Sequence, residues 1–167
     1  MTLAYIGLGS NLGNDSGDSI HILQQAVQGI AALGTVKVSS LYGSKPMGPQ
    51  DQPDYFNAVV ALETNLGAAA LFAKLQQLEQ QAGRIRMRRW GERTLDLDLL
   101  LFGTQSIQSS DLTVPHVGIL QRSFVVLPLL DLDDQLHVNG VALKTCAVAN
   151  TCDDIHKIAN SSWVLNR

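Results

Sequence analysis

The chain has 167 residues, 46% of them hydrophobic and 16% charged, with a formal net charge of -3. That length suits a single domain spanning 1–167 around one core, and the balance of charge supplies no global attraction to nucleic acid or acidic membranes. No apolar run approaches the roughly 20 residues of a membrane span, and M-T-L-A-Y-I-G-L-G-S-N has neither a basic start nor a cleavage-like site, so a soluble cytoplasmic protein is expected.

Residues 3 to 8, L-A-Y-I-G-L, read as a buried strand, and G-S-N-L-G follows as a loop. Ile20, Leu23, Val27, Ile30 and Leu33 recur at helical spacing, which predicts a helix over about 16–33. Asp15 or Ser16 is placed to cap it and Gly34 to end it. T-V-K-V-S-S-L-Y (35–42) is β-branched and alternating, hence a strand. S-K-P-M-G-P-Q-D-Q-P-D (44–54) holds three of the five prolines and is a shaped loop. Y-F-N-A-V-V-A-L-E-T-N-L (55–66) reads as a long strand. A second helix is expected over about 68–82, with Leu71, Leu75 and Leu78 facing inward and Gly83 ending it. R-I-R-M-R-R-W-G-E-R (84–93) is a basic loop, and a strand follows to Gly103. This order, β-α-β-β-α-β, is that of a ferredoxin-like, split-βαβ core. Beyond 104 come L-T-V-P-H, then Q-R-S-F-V-V-L-P-L-L, then an edge strand at L-H-V. Two cysteines, Cys146 and Cys152, are too few for a disulfide scaffold. With His156 they lack the paired C-x-x-C of a structural zinc site. No function is argued for the segment from about 140 onward.

The strand R-T-L-D-L-D-L-L-L-F (93–102) carries two carboxylates among leucines. On a strand, alternate side chains share a face. Leu95, Leu97, Leu99 and Leu101 then point one way and Asp96 and Asp98 the other, roughly 7 Å apart. Such a pair repels unless a cation lies between. Mg²⁺ suits it, because that ion takes one or two carboxylates and completes its shell with water and phosphate oxygens. An isolated D-x-D is more often a solvated strand face. Here, however, five of the chain's 12 Lys and Arg fall within 84–93: Arg84, Arg86, Arg88, Arg89 and Arg93. Arginine forks match phosphate oxygens. A cationic loop feeding into paired carboxylates therefore predicts a metal–polyphosphate site. G-L-G-S-N-L-G, by contrast, misses the dinucleotide fingerprint by one residue, and no acidic residue closes the second strand. Its glycines read as turn and close-packing residues.

These residues resemble a known family. R-W-G-E-R-T-L-D-L-D-L-L from Arg89, G-P-Q-D-Q-P-D-Y-F-N at 48–57, V-P-H…R at 114–122 and the N-terminal G-S-N-L-G are similar to the motifs of 6-hydroxymethyl-7,8-dihydropterin pyrophosphokinases, in order and over nearly the whole chain. The resemblance implies an α+β fold, a three-layer α/β/α sandwich on a mainly antiparallel sheet. It implies transfer of pyrophosphate from ATP to the dihydropterin hydroxymethyl group, with release of AMP, in folate biosynthesis. It further implies that Asp96 and Asp98 bind two Mg²⁺ ions and that Arg84 and Arg93 hold ATP phosphates. The loop with Arg84 and Arg86 would close over the site. Gln76, Glu79, His116 and Arg122 match ATP-binding positions. Asn57 matches the amide that reads the pterin edge, Tyr55 and Phe124 the aromatics that sandwich the ring, Trp90 one that seals the site, and Ser44 and Met47 pterin-loop positions. Glu92 stands where the family usually has proline, and Ser44 where threonine is commoner.

Tyr55 and Asn57 are two apart and share a strand face, and a flat heterocycle wants aromatic faces with fixed polar groups. Read without the resemblance, ordinary core packing is the favoured reading of Tyr55 and Phe124. No motif residue is an obvious strong general base, so positioning and charge neutralisation are expected to carry the rate. The competing class is a ferredoxin-like RNA-binding or ligand-binding regulatory module without catalysis. Its aromatics lack an RNP-like strand pattern, and a regulatory module has no need of paired carboxylates beside arginines. A monomer with ATP and the dihydropterin as its only partners is expected, without nucleic acid or membrane. At this length there is no room for a fused second enzyme.

Overall fold

Residues Thr2–Ser10 form the first strand, β1, and every other part of the sheet is set by its pairing. It runs antiparallel to β4 (Tyr55–Thr64) on one side and to β5 (Asp96–Phe102) on the other. The structure is a computed structural model that describes residues 1–13, 17–45, 51–83, 94–150 and 155–164. Beyond β4 lie β2 (Thr35–Val38), β3 (Leu41–Ser44) and β10 (Ile155–Ala159), all antiparallel to their neighbours. The strand order is β10-β3-β4-β1-β5, with β2 also paired to β4.

Alternation along β1 decides what covers each face. Ala4, Ile6 and Leu8 bury against α1 (Ser19–Ala31) and α2 (Ala68–Gln81), through Ile22, Leu23, Val27, Ile30, Leu71 and Leu75. Tyr5 points to the other face, where Val59, Ala61, Leu100 and Leu101 meet Val125, Val126 and Leu129 of α3 (Ser123–Leu132). Each fully buried Leu or Ile of this kind stabilises the fold by about 1.5–3 kcal/mol relative to exposure. Burial raises the Tyr5 phenol above its ordinary value, and the charge of Asp133 adds to this. Two small hairpins complete the chain outside the main sheet: β6 (Ile107–Gln108) with β7 (Thr113–Val114), and β8 (His137–Val138) with β9 (Val141–Ala142). A short α4 covers Ala147–Asn150. No helix among the described residues is long and apolar enough to cross a membrane.

Several sequence expectations need correction. The first helix starts at Ser19, and its cap is Asp18, whose Oδ1 accepts the His21 N–H at 3.0 Å, in place of Asp15 or Ser16. The helix closes on Ala32 in right-handed geometry. Gly34 is needed for space, since a Cβ there would overlap the Glu63 carbonyl oxygen. Gly83, at φ +78°, does take the left-handed conformation just past α2 and so acts as a stop. β4 ends at Thr64 and α2 at Gln81.

The expected single strand 35–42 is two strands. Pairing runs Val38↔Val60 and then Tyr42↔Asn57, so the β2–β3 side holds one extra residue. Side chains satisfy the backbone at this break. Ser39 Oγ accepts the Val59 N–H at 2.9 Å, Trp163 Nε1 donates to Ser39 O at 2.9 Å, and Asp131 Oδ2 accepts from Ser40 N at 3.2 Å and Tyr42 OH at 2.8 Å. Leucine alternation on β5 also fails after Leu99: Tyr5 opposes Leu101 while Ile6 opposes Leu99, so Leu100 is a bulge. Leu101 therefore joins Leu100 on the α3 face, opposite Leu97 and Leu99. L-H-V contributes β8 to a separate hairpin and is not an edge of the main sheet; β10 is that edge.

Asp131→Ala leaves the buried Ser40 N–H and the Tyr42 hydroxyl without this acceptor. We expect a loss of about 1–3 kcal/mol in urea unfolding with unchanged slope. A midpoint equal to the parent's would show that the carboxylate does not hold the strand break.

Candidate functional site

The register of β1 builds the site. Gly9 pairs with Asn57 on β4 and with Asp96 on β5; Gly7 pairs with Val59 and Asp98. Directly paired residues share a face, so Asn57, Gly9 and Asp96 form one row across the sheet. The backbones of Asn57 and Asp96 are two strand spacings apart, about 10 Å. Asp98 lies one row further along the same face. The expected common face of the two carboxylates is therefore what the pairing gives.

Asp96 is half-buried and the side chain of Asp98 is 49% exposed. Both supply hard oxygen donors at the open end of β5. Among the described residues no group of three His, Cys, Asp or Glu side chains is placed to hold a metal alone. The arrangement suits an ion such as Mg²⁺ that draws its remaining ligands from water and substrate phosphates. It does not suit a closed structural site, which needs four protein ligands.

Three further sequence candidates gather around Asp98. A cleft at the outer side of β5 is lined by Phe72, Gln76, Glu79, Asp98, His116 and Val117, among others. His116 Nε2 lies 3.9 Å from Asp98 Oδ1. Its Nδ1 accepts the Gly118 N–H at 3.1 Å. That bond leaves the neutral ring's proton on Nε2, which points a donor into the cleft. Glu79 is 5% exposed, and its Oε2 accepts the Leu97 N–H at 2.8 Å. An α2 carboxylate thus fixes β5 at the residue between the two aspartates. Gln76, one turn earlier on α2, is exposed at the cleft.

Of the described residues expected on the pterin side, Ser44, Tyr55 and Asn57 gather on β3 and β4, and Phe124 lies on α3. Asn57 is 4% exposed, and its Nδ2 donates to Ser44 Oγ at 2.8 Å. Ser44 pairs directly with Tyr55, so all three share the face that carries Asp96. Asn11, in the loop after β1, donates from Nδ2 to Gln52 Oε1 at 2.9 Å and to the Pro53 carbonyl at 2.8 Å. These bonds tie the end of the proline-rich loop to the C-terminal end of β1. The Arg122 guanidinium sits 5.9 Å from the centre of the half-buried Phe124 ring, a cation–π distance. Met47, Arg84, Arg86, Trp90, Glu92 and Arg93 lie outside the described residues, and so does the expected loop closure.

Sequence reasoning passed over Phe72, Val117 and the Asn11–Gln52 pair. Val117 is 76% exposed at the cleft mouth, which a hydrophobic residue in a loop does not announce. The Asn11–Gln52 contact joins positions 41 apart, beyond any local pattern. The glycine pair did carry a signal, since Gly7 and Gly9 alternate on a strand.

The comparisons bear on this arrangement. Residues 5–134 match the sequence profile of 7,8-dihydro-6-hydroxymethylpterin-pyrophosphokinase (HPPK). A 2-amino-4-hydroxy-6-hydroxymethyldihydropteridine pyrophosphokinase of Haemophilus influenzae is 48% identical over 158 residues, covering 95% of this chain and 97% of that one. One of Bacillus subtilis is 40% identical, covering 86% of this chain and 85% of its own. Among solved structures, an HPPK-DHPS of Plasmodium falciparum aligns with TM-score 0.68 at 14% identity over 86% of this chain. The chain spans only 40% of that longer protein, and the likeness concerns fold alone. Near-full-length identity of 40–48%, on a chain whose sheet sets two aspartates beside a buried amide, leaves one assignment: the chain belongs to the 7,8-dihydro-6-hydroxymethylpterin-pyrophosphokinase family.

Proposed function

We propose that the face of β1, β4 and β5 carrying Asn57, Asp96 and Asp98 is where pyrophosphoryl transfer takes place. The activity is that of the family: ATP gives its terminal pyrophosphoryl group to the hydroxymethyl group of 6-hydroxymethyl-7,8-dihydropterin in folate biosynthesis. The observation that carries the siting is the Asn57–Gly9–Asp96 row. It separates a ring-reading amide from a carboxylate by about 10 Å, enough for a fused two-ring heterocycle to reach from one to the other.

In this reading the acceptor ring lies against Tyr55 and Phe124, with its polar edge on Asn57 and with Ser44 orienting that amide. By resemblance, Met47 belongs to the pterin loop and Trp90 seals the site. ATP occupies the cleft beside β5. There Gln76 and Glu79 of α2, His116 and Arg122 surround its nucleoside and phosphates, and Arg84 and Arg93 neutralise phosphate charge. His116 donates from Nε2 toward a phosphate oxygen. Glu79 holds β5 so that both aspartates keep their spacing. The hydroxymethyl oxygen attacks the β-phosphorus in line. A new O–P bond forms as the bond to the α-phosphate bridging oxygen breaks, AMP departs, and the hydroxyl proton passes to solvent. Asp96 and Asp98 are the residues that would hold two Mg²⁺ ions, which supply charge neutralisation and make the attacking hydroxyl more acidic. No side chain of the site serves as a strong general base, so orientation and electrostatics carry the rate.

Strand order and helix placement support the finer architecture as well: a ferredoxin-like core within a three-layer α/β/α sandwich, forming one pyrophosphokinase domain over 1–167. We infer a cytoplasmic monomer whose partners are its two substrates, with no nucleic acid or membrane among them; the net charge of -3 supports this.

Incubation with MgATP and the dihydropterin should yield AMP and the pterin diphosphate. Asp96→Ala should lower kcat by about a hundredfold or more. ADP as product, or near-normal turnover of Asp96→Ala at ordinary Mg²⁺, contradicts the siting. Truncating His116 to Ala should raise the KM for ATP roughly ten- to a hundredfold, the worth of a charge-assisted hydrogen bond, and leave the KM for the pterin in place. An unchanged ATP KM removes His116 from the phosphate side.

A further inference from the structure

Gly9 lies in the middle of the site's central row, yet nothing in its backbone calls for glycine. Among the described glycines, positive φ occurs at Gly17, Gly83, Gly103 and Gly140, and Gly9 is not among them. It is an ordinary ladder residue with a partner on either side. In such a position glycine weakens a strand relative to alanine. The reason for it must be space on one face.

That face is the one that carries Asn57. A Cβ on Gly9 would stand 3.3 Å from Asn57 Oδ1 and 3.9 Å from Cδ1 of the Tyr55 ring. The first distance is tight, and the amide has little room to retreat. Its Nδ2 is tied to Ser44 Oγ at 2.8 Å, and both residues are buried. The same bond turns Oδ1, the acceptor, toward Gly9. Gly7 offers a built-in comparison. It lies on the same face two residues earlier, but the nearest atoms its Cβ would meet belong to the Leu100 side chain, at 3.4 Å, an ordinary contact.

We infer that Gly9 is a positioning residue for the pterin acceptor: the missing side chain lets Asn57 hold its carbonyl oxygen, and Tyr55 its ring edge, where the heterocycle is read. This rests on the assignment of Asn57 to the pterin. A methyl group at position 9 presses on the amide from below and tilts Oδ1 out of the plane in which ring N–H groups approach. ATP, bound beside β5, is untouched. The consequence is a substitution that suits the strand and harms the site.

The test is a double-mutant cycle in the full chain, reading kcat, both KM values and the melting temperature. Gly9→Ala should remain folded, raise the KM for dihydropterin about tenfold and leave the KM for ATP alone. Gly7→Ala should change neither KM. Adding Gly9→Ala to Asn57→Ala should cause no further rise in pterin KM, because the oxygen it presses on is gone. If Gly9→Ala alone folds poorly, the double variant must fold and match Asn57→Ala. An unchanged pterin KM in Gly9→Ala overturns the inference, and so does a rise that persists undiminished without Asn57. Asn57→Ala with a normal pterin KM removes the assignment of Asn57 itself, and the role of Gly9 with it, a result separate from a failure of Gly9 alone.

Discussion

The antiparallel register of β1 between β4 and β5 is the constraint on which the rest depends. A slip of one residue would turn every side chain of a strand to the opposite face. A slip of β1 would take Ala4, Ile6 and Leu8 out of the α1–α2 core, and a slip of β5 would drive the two aspartates beneath those helices. The register is thus held by burial: one face packs on α1 and α2, and the other packs its inner part under α3. The candidate site lies on the open end of that second face and takes its geometry from the same pairing.

The polar face needs supports that the sheet alone does not supply. Glu79 reaches from α2 to the N–H of Leu97, the residue between Asp96 and Asp98. A buried carboxylate is costly unless its oxygens are bonded, and here one of them fixes the outer strand. Gly118 sets the proton of His116 through a main-chain N–H. Ser44 orients the Asn57 amide, and Asn11 ties the proline-rich loop to the C-terminal end of β1. Each of these bonds fixes a group at the edge of the proposed site, and together they would supply the preorganisation that the proposed reaction relies on.

The face of the aspartates was legible in sequence because the alternation of Leu95, Leu97 and Leu99 is a local property of a strand. The place where alternation stops was not. The bulge at Leu100 exists only against Tyr5 and Ile6, ninety-odd positions away in the chain. The division of β2 from β3 is similar, since Ser39 and Ser40 read as strand until Trp163 and Asp131 arrive to take up their backbone groups. The cap of α1 failed for a different reason: Asp15, Ser16 and Asp18 all suit the role, and the packing of Ile22 and Leu23 into the core fixes which one serves. β10 has a largely exposed edge and no alternation to betray it. Of the candidate site, the motif-borne residues rest on resemblance, whereas Glu79's bond to β5 and the tight fit under Asn57 require the fold.

If the register of β1 aims Asp96 and Asp98 at divalent metal on the Gly7–Gly9 face, crystals grown with Mn²⁺ and a non-hydrolysable ATP analogue will show it by anomalous diffraction. Anomalous density should lie at coordination distance, about 2 Å, from oxygens of both aspartates and from the analogue's phosphates. Manganese bound elsewhere, with both carboxylates free of it, would rule this siting out.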